Sequence, residues 1–264
     1  MSELVTRKYG MKPGLYDPRQ LTAVFADQPP VDTYSLTALS PLPPVRDQGQ
    51  LGCCVGEGTS GATHMSLLIS KYPWLFTPSV LDIYYQCRAI EGTTTSDSGA
   101  IIADAFNVLS TQGVCPEDSN PEWSWAFSST DDRWAQEPPA ACATNALGHK
   151  IVKYAKIQQT AAAIESALYS GSPVVIGIVV YPSFESDNAN ATGVIPMPSW
   201  MDKIQGPLGG HCMWLYGYDR TNQVFTGRNS WGATWGNAGS FTIPYAYLLD
   251  PTLTSDLWLC GVLT

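Results

Sequence analysis

The chain is 264 residues long, enough to bury a substantial core in one large domain or two lobes, and its 44% hydrophobic against 14% charged residues exclude a disordered chain. Fourteen basic against 23 acidic side chains leave a net charge of −9 with no run of Lys or Arg, which argues against nucleic acid or an anionic membrane as a partner. No stretch of about eighteen apolar residues is present to span a bilayer, and the opening MSELVTRKYGMKPG lacks the apolar core of a secretory leader.

Seven cysteines stand at positions 53, 54, 87, 115, 142, 212 and 260. An odd count without a leader argues against a complete disulfide framework, so reduced thiols and a cytoplasmic location are the expectation. The N-A-T sequon at Asn190 is then a chance match.

In chain order, residues 1–47 are rich in Pro and polar residues without a sustained period, and QPPVDTYSLTALSPLPP reads as an extended arm laid over a surface. A buried helix is predicted from Cys54 to Lys71, carrying Ala62, Met65, Leu67, Leu68 and Ile69. Gly56, Gly58 and Gly61 each cost that helix roughly 1 kcal/mol in propensity, so packing must hold it and something must approach its backbone closely. TPSVLDIYYQC (77–87) predicts a second helix capped by Thr77, with Pro78 in the first turn. SGAIIADAFNVLSTQG (98–113) predicts a third, stopped by Gly113. Residues 114–147 read as a long aromatic loop region, and QQTAAAIESALYSG (158–171) as a fourth helix. Short β-rich runs follow at 172–181, 211–219, 223–230 and 239–245. The expectation is an α+β chain with an arm over 1–47, a helical lobe over 48–148 and a β-rich lobe over 149–264.

A cysteine at a helix N-terminus meets unpaired amides and the positive end of the helix dipole, which favour its thiolate. RDQGQLGCCVGEG places two cysteines at such a point, and a nucleophilic thiol needs a base and a group to orient that base. Of three histidines, His64 lies inside the first helix and His149 in a loop, both read as structural. His211 follows GPLGG at the start of a strand, where small neighbours leave the ring accessible. Asn229 downstream can accept its ring N–H, and Trp231 and Trp235 can shield that bond from water.

The joint pattern resembles the papain-like cysteine peptidases from about Val45 to Val262. The family's Q-G-x-x-G-x-C motif is matched by Gln48, Gly49, Gly52 and Cys54, its strand-opening histidine by His211 with Gly217-Tyr218, and its N-S-W-G signature by Asn229, Ser230, Trp231 and Gly232. The resemblance implies a two-lobe fold, a helical left lobe and an antiparallel β-barrel-like right lobe with the active-site cleft between them. It implies Cys54 as nucleophile, His211 as general base and acid, and Asn229 as the residue that orients His211. The side chain of Gln48 and the backbone N–H of Cys54 would form the oxyanion hole. Cys53 falls where the family has a small passive residue. Leu51 stands where the family has a disulfide cysteine and Val55 where it has Trp, departures that resemble bacterial or viral members.

By the same resemblance, Gly177, Gly209 and Gly210 lie by the wall of a substrate pocket roomy enough for a bulky apolar or aromatic side chain. Ser98, Gly99 and Ala100 lie along the strip that pairs with substrate backbone, and Trp231 beside it. The family's residue at the pocket floor is expected to be missing, since the chain stops at Thr264. The arm is expected either to brace the lobes or to lie over the cleft as a plug. The expected activity is endopeptidase hydrolysis of peptides or proteins through an acyl-thioester. The alternatives are a silent binding protein, or transpeptidase or isopeptidase use of the same thioester. No cofactor or metal is expected, for the chain has no HExxH and no CxxC pair, and a GxSxG serine elbow is also absent.

Overall fold

A computed structural model describes residues 7–14, 17, 20–25, 28–117, 133–150 and 152–262. Three short strands lie in the arm: β1 (Met11–Lys12), β2 (Thr22–Ala23) and β3 (Thr33–Ser35). They are followed by α1 (Cys54–Ile69), α2 (Val80–Ile90), β4 (Ala100–Ile101), α3 (Ile102–Asn107) and α4 (Ala140–Ala146). The second half carries β5 (Val152–Ile157), α5 (Ala161–Tyr169), β6 (Val174–Val180), α6 (Asp187–Thr192), α7 (Trp200–Gln205) and β7 (Gly209–Asp219). It ends with β8 (Val224–Arg228), β9 (Ser240–Pro244), α8 (Tyr245–Leu249) and β10 (Thr254–Val262). None of the described helices is long and apolar enough to cross a membrane.

The glycines of α1 are explained by what lies against them. A Cβ on Gly56 would come within 3.0 Å of the Val80 carbonyl, one on Gly58 within 2.6 Å of Cys212 Sγ, and one on Gly61 within 2.6 Å of Trp214 Nε1. Helix α1 therefore touches α2 on one side and β7 on the other at backbone distance, and nearly every residue from Cys54 to Leu67 is buried. The propensity lost at three glycines is recovered by packing the central helix between the helical half and the sheet.

Three expectations need correction at the level of elements. The cap of α2 is Ser79, whose Oγ accepts from Asp82 N–H at 3.2 Å, and the helix runs on to Ile90. Thr77 instead offers its carbonyl to Glu117 N–H at 2.9 Å. Residues 98–113 are not one helix: Ala100–Ile101 pair as a strand, only Ile102–Asn107 are α-helical, and a π-helical stretch at Val108–Gln112 leads into Gly113. The strand is imposed by a partner distant in sequence, Met11–Lys12, which local periodicity does not contain. Helix α4 falls inside the region read as loop, most of which (118–132) lies outside the described residues.

The sheet runs in the order β2-β5-β10-β6-β7-β8-β9, with β3 pairing β7 off this path. All its pairs are antiparallel except β2 with β5. Strand β7, eleven residues long, joins β6, β8, β3 and, through side chains, α1, so its first residues sit at the boundary of the two halves. The arm is stitched to both halves, through β1 to the helical side and through β2 and β3 to the sheet.

Candidate active site

Cys54 is the first residue of α1 and Cys53 its N-cap, which contributes no side-chain bond. The helix start is thus left with open amides, and the sulfur of Cys54 faces the N–H groups of Cys212, Gly10 and Val55 as well as its own. Cys212 directly follows His211 on β7, so the thiol and the histidine occupy adjoining positions across the α1–β7 contact. Cys53 is likewise buried, and burial pushes its thiol well above the usual range.

One oxygen determines the state of His211. Asn229 Oδ1 accepts from Ser230 N–H at 2.8 Å and lies 2.8 Å from His211 Nε2. The backbone donor identifies that atom as the oxygen, so Nε2 must carry the proton and Nδ1 holds a lone pair. Nδ1 is buried and has no hydrogen-bond partner, so its lone pair is unclaimed. Trp231 lies over the ring at 5.0 Å between centroids, with Phe184 and Trp235 packed behind it, and these rings keep water from the His211–Asn229 bond.

Gln48 is held in the same network. Its N–H donates to Ser230 O at 2.9 Å, Ser230 Oγ donates to its Oε1 at 2.7 Å, and Asp47 bridges Trp231. The signature Asn229-Ser230-Trp231 therefore positions both the histidine and the glutamine. Gln48 Nε2 donates to Leu51 O at 2.9 Å and reaches the carbonyl of Lys8, an arm residue, at 3.3 Å.

The arm fills the space around these groups. Ala100 N–H donates to Gly10 O at 2.7 Å, and a Cβ on Gly99 (φ +76°) would come within 2.0 Å of that oxygen. On the opposite side, a Cβ on Gly209 would meet Tyr9 Cβ at 2.5 Å, and one on Gly210 the Met11 carbonyl at 2.2 Å. The Met11 methyl lies 3.2 Å from the Cβ position of Gly177. Ser98 Oγ donates to Thr93 Oγ1 and takes Lys12 Nζ at 3.4 Å. All the glycines singled out as pocket wall, with Ala100, thus meet Tyr9, Gly10 or Met11, and Trp231 lies beneath Arg7 and Tyr9. Ion pairs of Lys8 with Asp97 and Lys12 with Glu91, and a hydrogen bond from Tyr9 to Glu185, pin the segment.

Sequence reasoning missed two parts of this site. It left the arm without a placed segment, although RKYGMKPG alternates cations with an aromatic and an unbranched apolar residue that the cleft takes up. It also expected no residue at the pocket floor. Asp256 on β10 is the residue packed against Gly177, its Cβ 3.1 Å from the Cβ position of that glycine. β10 was not read as a strand at all, which hid it.

Burial dominates the electrostatics. Desolvation pushes Cys54 up to about 11 against the opposing backbone donors, and pushes His211 down to about 4 against the bond to Asn229, with Arg7 adding to the fall. With the arm seated, both groups are uncharged at neutral pH. Among the described residues no cluster of three metal-ligating side chains occurs.

The model of the papain family of cysteine proteases matches residues 31–247. An uncharacterized peptidase C1-like protein of Acanthamoeba polyphaga mimivirus is 33% identical over 226 residues, covering 83% of this chain and 70% of that protein. Gamete and mating-type specific protein A of Dictyostelium discoideum is 27% identical over 202 residues, 76% of this chain but only 40% of that protein. The crystal structure of xylellain, a cysteine protease from Xylella fastidiosa, superposes with a TM-score of 0.84 at 31% identity, covering 97% of this chain and 96% of that one.

Proposed function

Because the chain belongs to the papain family of cysteine proteases and is a cysteine-type peptidase, we propose that it hydrolyses peptide bonds with Cys54, His211 and Asn229 as its working groups and Gln48 as an oxyanion donor. The observation that carries this reading is the shared Asn229 oxygen, which accepts the Nε2–H of His211 and so leaves Nδ1 as the base. His211 Nδ1 takes the proton of Cys54, and the sulfur attacks the scissile carbonyl carbon. A C–S bond forms, and negative charge collects on the carbonyl oxygen, facing Gln48 Nε2 and Cys54 N–H. The C–N bond then breaks as His211 returns the proton to the leaving amine, giving an acyl-thioester. Water, deprotonated by His211, releases the acid and restores the thiol.

The arm supports three finer statements. Residues 7–12 run past Cys54 from Arg7 beside Trp231 to Lys12 beside Glu91, so the groove takes a chain that continues on both sides of the sulfur, the requirement for an endopeptidase. The same segment occupies the substrate's place, so the enzyme is latent until the arm leaves. Met11 between Gly177 and Gly210, with Asp256 alongside, supports a preference there for long unbranched side chains, apolar or cationic.

The test is labelling with a peptidyl chloromethyl ketone followed by peptide mapping. Modification confined to Cys54 and lost in His211→Ala supports the reading, whereas labelling spread over all the cysteines would sink it. Gln48→Ala should cost about 100- to 1000-fold in kcat, the usual effect of deleting one oxyanion donor, with KM little changed.

A further inference from the structure

The residue that the arm places at the oxyanion donor is Lys8. Its carbonyl lies 3.3 Å from Gln48 Nε2, and its ammonium forms an ion pair with Asp97. Two residues on, the N–H of Gly10 faces the sulfur of Cys54. One lysine therefore links the point where a scissile carbonyl oxygen collects charge to a carboxylate on the wall of the groove. The mechanism proposed above uses Gln48 but gives Asp97 no part.

Asp97 is fixed in its place. Both its oxygens accept the N–H of Gly52, at 3.0 and 3.2 Å, and the Tyr84 hydroxyl donates to Oδ1. Gly52 stands just ahead of Cys53 and Cys54, so this contact ties the carboxylate to the loop that carries the nucleophile. Tyr84 in turn accepts the N–H of Gly99 at 3.1 Å, on the strip that directly follows Asp97. A neutral acceptor would serve these donors as well, so the charge is left for a cation. Arg88 gives its N–H groups to the carbonyls of Tyr84, Thr94, Ser96 and Trp134, and among the described residues Lys8 is the cation paired with Asp97. The Asp97 side chain is 11% exposed and that of Lys8 48%, so the ammonium covers the carboxylate from the solvent side. The rest of the segment repeats the pairing: Arg7 meets Asp47 at 3.5 Å and Lys12 meets Glu91. When the arm leaves, Asp97 opens to whatever residue next brings its carbonyl to Gln48.

We propose that Asp97 determines specificity for the residue before the cleaved bond, and that the substrates are polypeptides cut after lysine or arginine. The inference rests on the hydrolysis at Cys54 proposed above and adds which bond is chosen. A substrate cation meets a carboxylate already held by its own donors and makes a charge-assisted contact there. An uncharged side chain of the same length covers that carboxylate and leaves it without a cation.

The probes are fluorogenic peptides differing only in the residue before the cleaved bond (lysine, arginine, norleucine or glutamate), assayed as kcat/KM on the full chain. A seated arm lowers every value alike, so the ratios read the open groove. Lysine and arginine should each exceed norleucine at least ~10-fold, with glutamate below norleucine. Asp97→Asn keeps an acceptor for Gly52 and Tyr84, and it should bring the lysine-to-norleucine ratio below ~3. Norleucine cut as well as lysine by the unaltered chain, or a ratio that Asp97→Asn leaves intact, would overturn the assignment. Should that variant fail to fold, the peptide series on the unaltered chain decides. Should no peptide be cut, the hydrolysis itself fails, and the cation pocket is read by alkylation of Cys54 with iodoacetamide in the full chain. Lys8→Met should then speed alkylation at least ~5-fold yet add nothing to Asp97→Asn, and effects that multiply would overturn the pocket.

Discussion

Burial and hydrogen bonding set the chemistry of single residues here more than sequence position does. Cys54 sits where a helix favours thiolate, yet the seated arm removes water and holds it up to about 11. Alkylation by iodoacetamide, which consumes thiolate, should therefore rise about tenfold per pH unit from pH 7 to pH 10 in the full chain. A rate already flat above pH 7 would contradict the buried neutral thiol. Glu57 is the second such residue: burial pushes it from its ordinary 4.5 up to about 7, against the pull of Arg46. Between those values the folded chain holds a proton that the unfolded chain has lost, so stability falls as pH rises from about 4.5 to about 7. Glu57→Gln removes that loss, and denaturant unfolding should find the variant more stable by on the order of 3 kcal/mol at pH 8 and little changed below pH 4.5. A destabilised variant at pH 8 would show that the Arg46 pair outweighs desolvation.

At the scale of elements, legibility followed the range of the interaction. Gln48, Cys54, His211 and Asn229 could be read because each lies in a short motif whose residue types the chemistry demands. Helices α1 and α5 could be read because their apolar spacing is local, although α5 begins one residue after its Thr160 cap and is shorter than the run suggested. Strand β4 could not, since Ala100–Ile101 extend only to meet Met11–Lys12, and nothing between residues 98 and 113 records that partner. β10 was missed for a related reason: buried on both sides between β5 and β6, it reads as a nearly continuous apolar run without alternation. The glycines of α1 raised a question in sequence that only the tertiary contacts answer. Gly61→Ala would gain helix propensity, but its methyl has no room beside the Trp214 indole, and thermal or urea unfolding should show a net loss of roughly 1–3 kcal/mol. An unchanged or raised midpoint would mean that Trp214 can step aside at little cost.

At the scale of the molecule, the arm joins what the sequence presented as alternatives. β2 and β3 pair with the sheet and Tyr9–Met11 lie against Gly99, Gly177, Gly209 and Gly210, so under the latency proposed above one segment of chain braces and plugs in succession. A truncation through residue 40 would strip two strands and unfold the sheet's edge, confounding latency with stability. Removing residues 1–12 leaves β2 and β3 in place and opens only the groove. His211 gives the seated arm a pH dependence: buried beneath it, the ring is held at about 4 rather than its ordinary 6.5, so protonation favours the open form as pH falls from about 6.5. The arm should then hold less tightly at pH 5 than at pH 7.5, and a peptide of residues 7–14 added to the shortened enzyme should inhibit it more weakly at the lower pH.

The most direct measurement is kcat/KM on a fluorogenic peptide for the full chain and for the chain lacking residues 1–12, with Cys54→Ala in each as the blank. An arm seated about 99% of the time predicts a gain of about 100-fold on its removal, with all activity lost in Cys54→Ala. Equal activity in the two chains, with folding shown intact, would contradict an arm that closes the groove, and activity surviving Cys54→Ala would contradict the nucleophile itself.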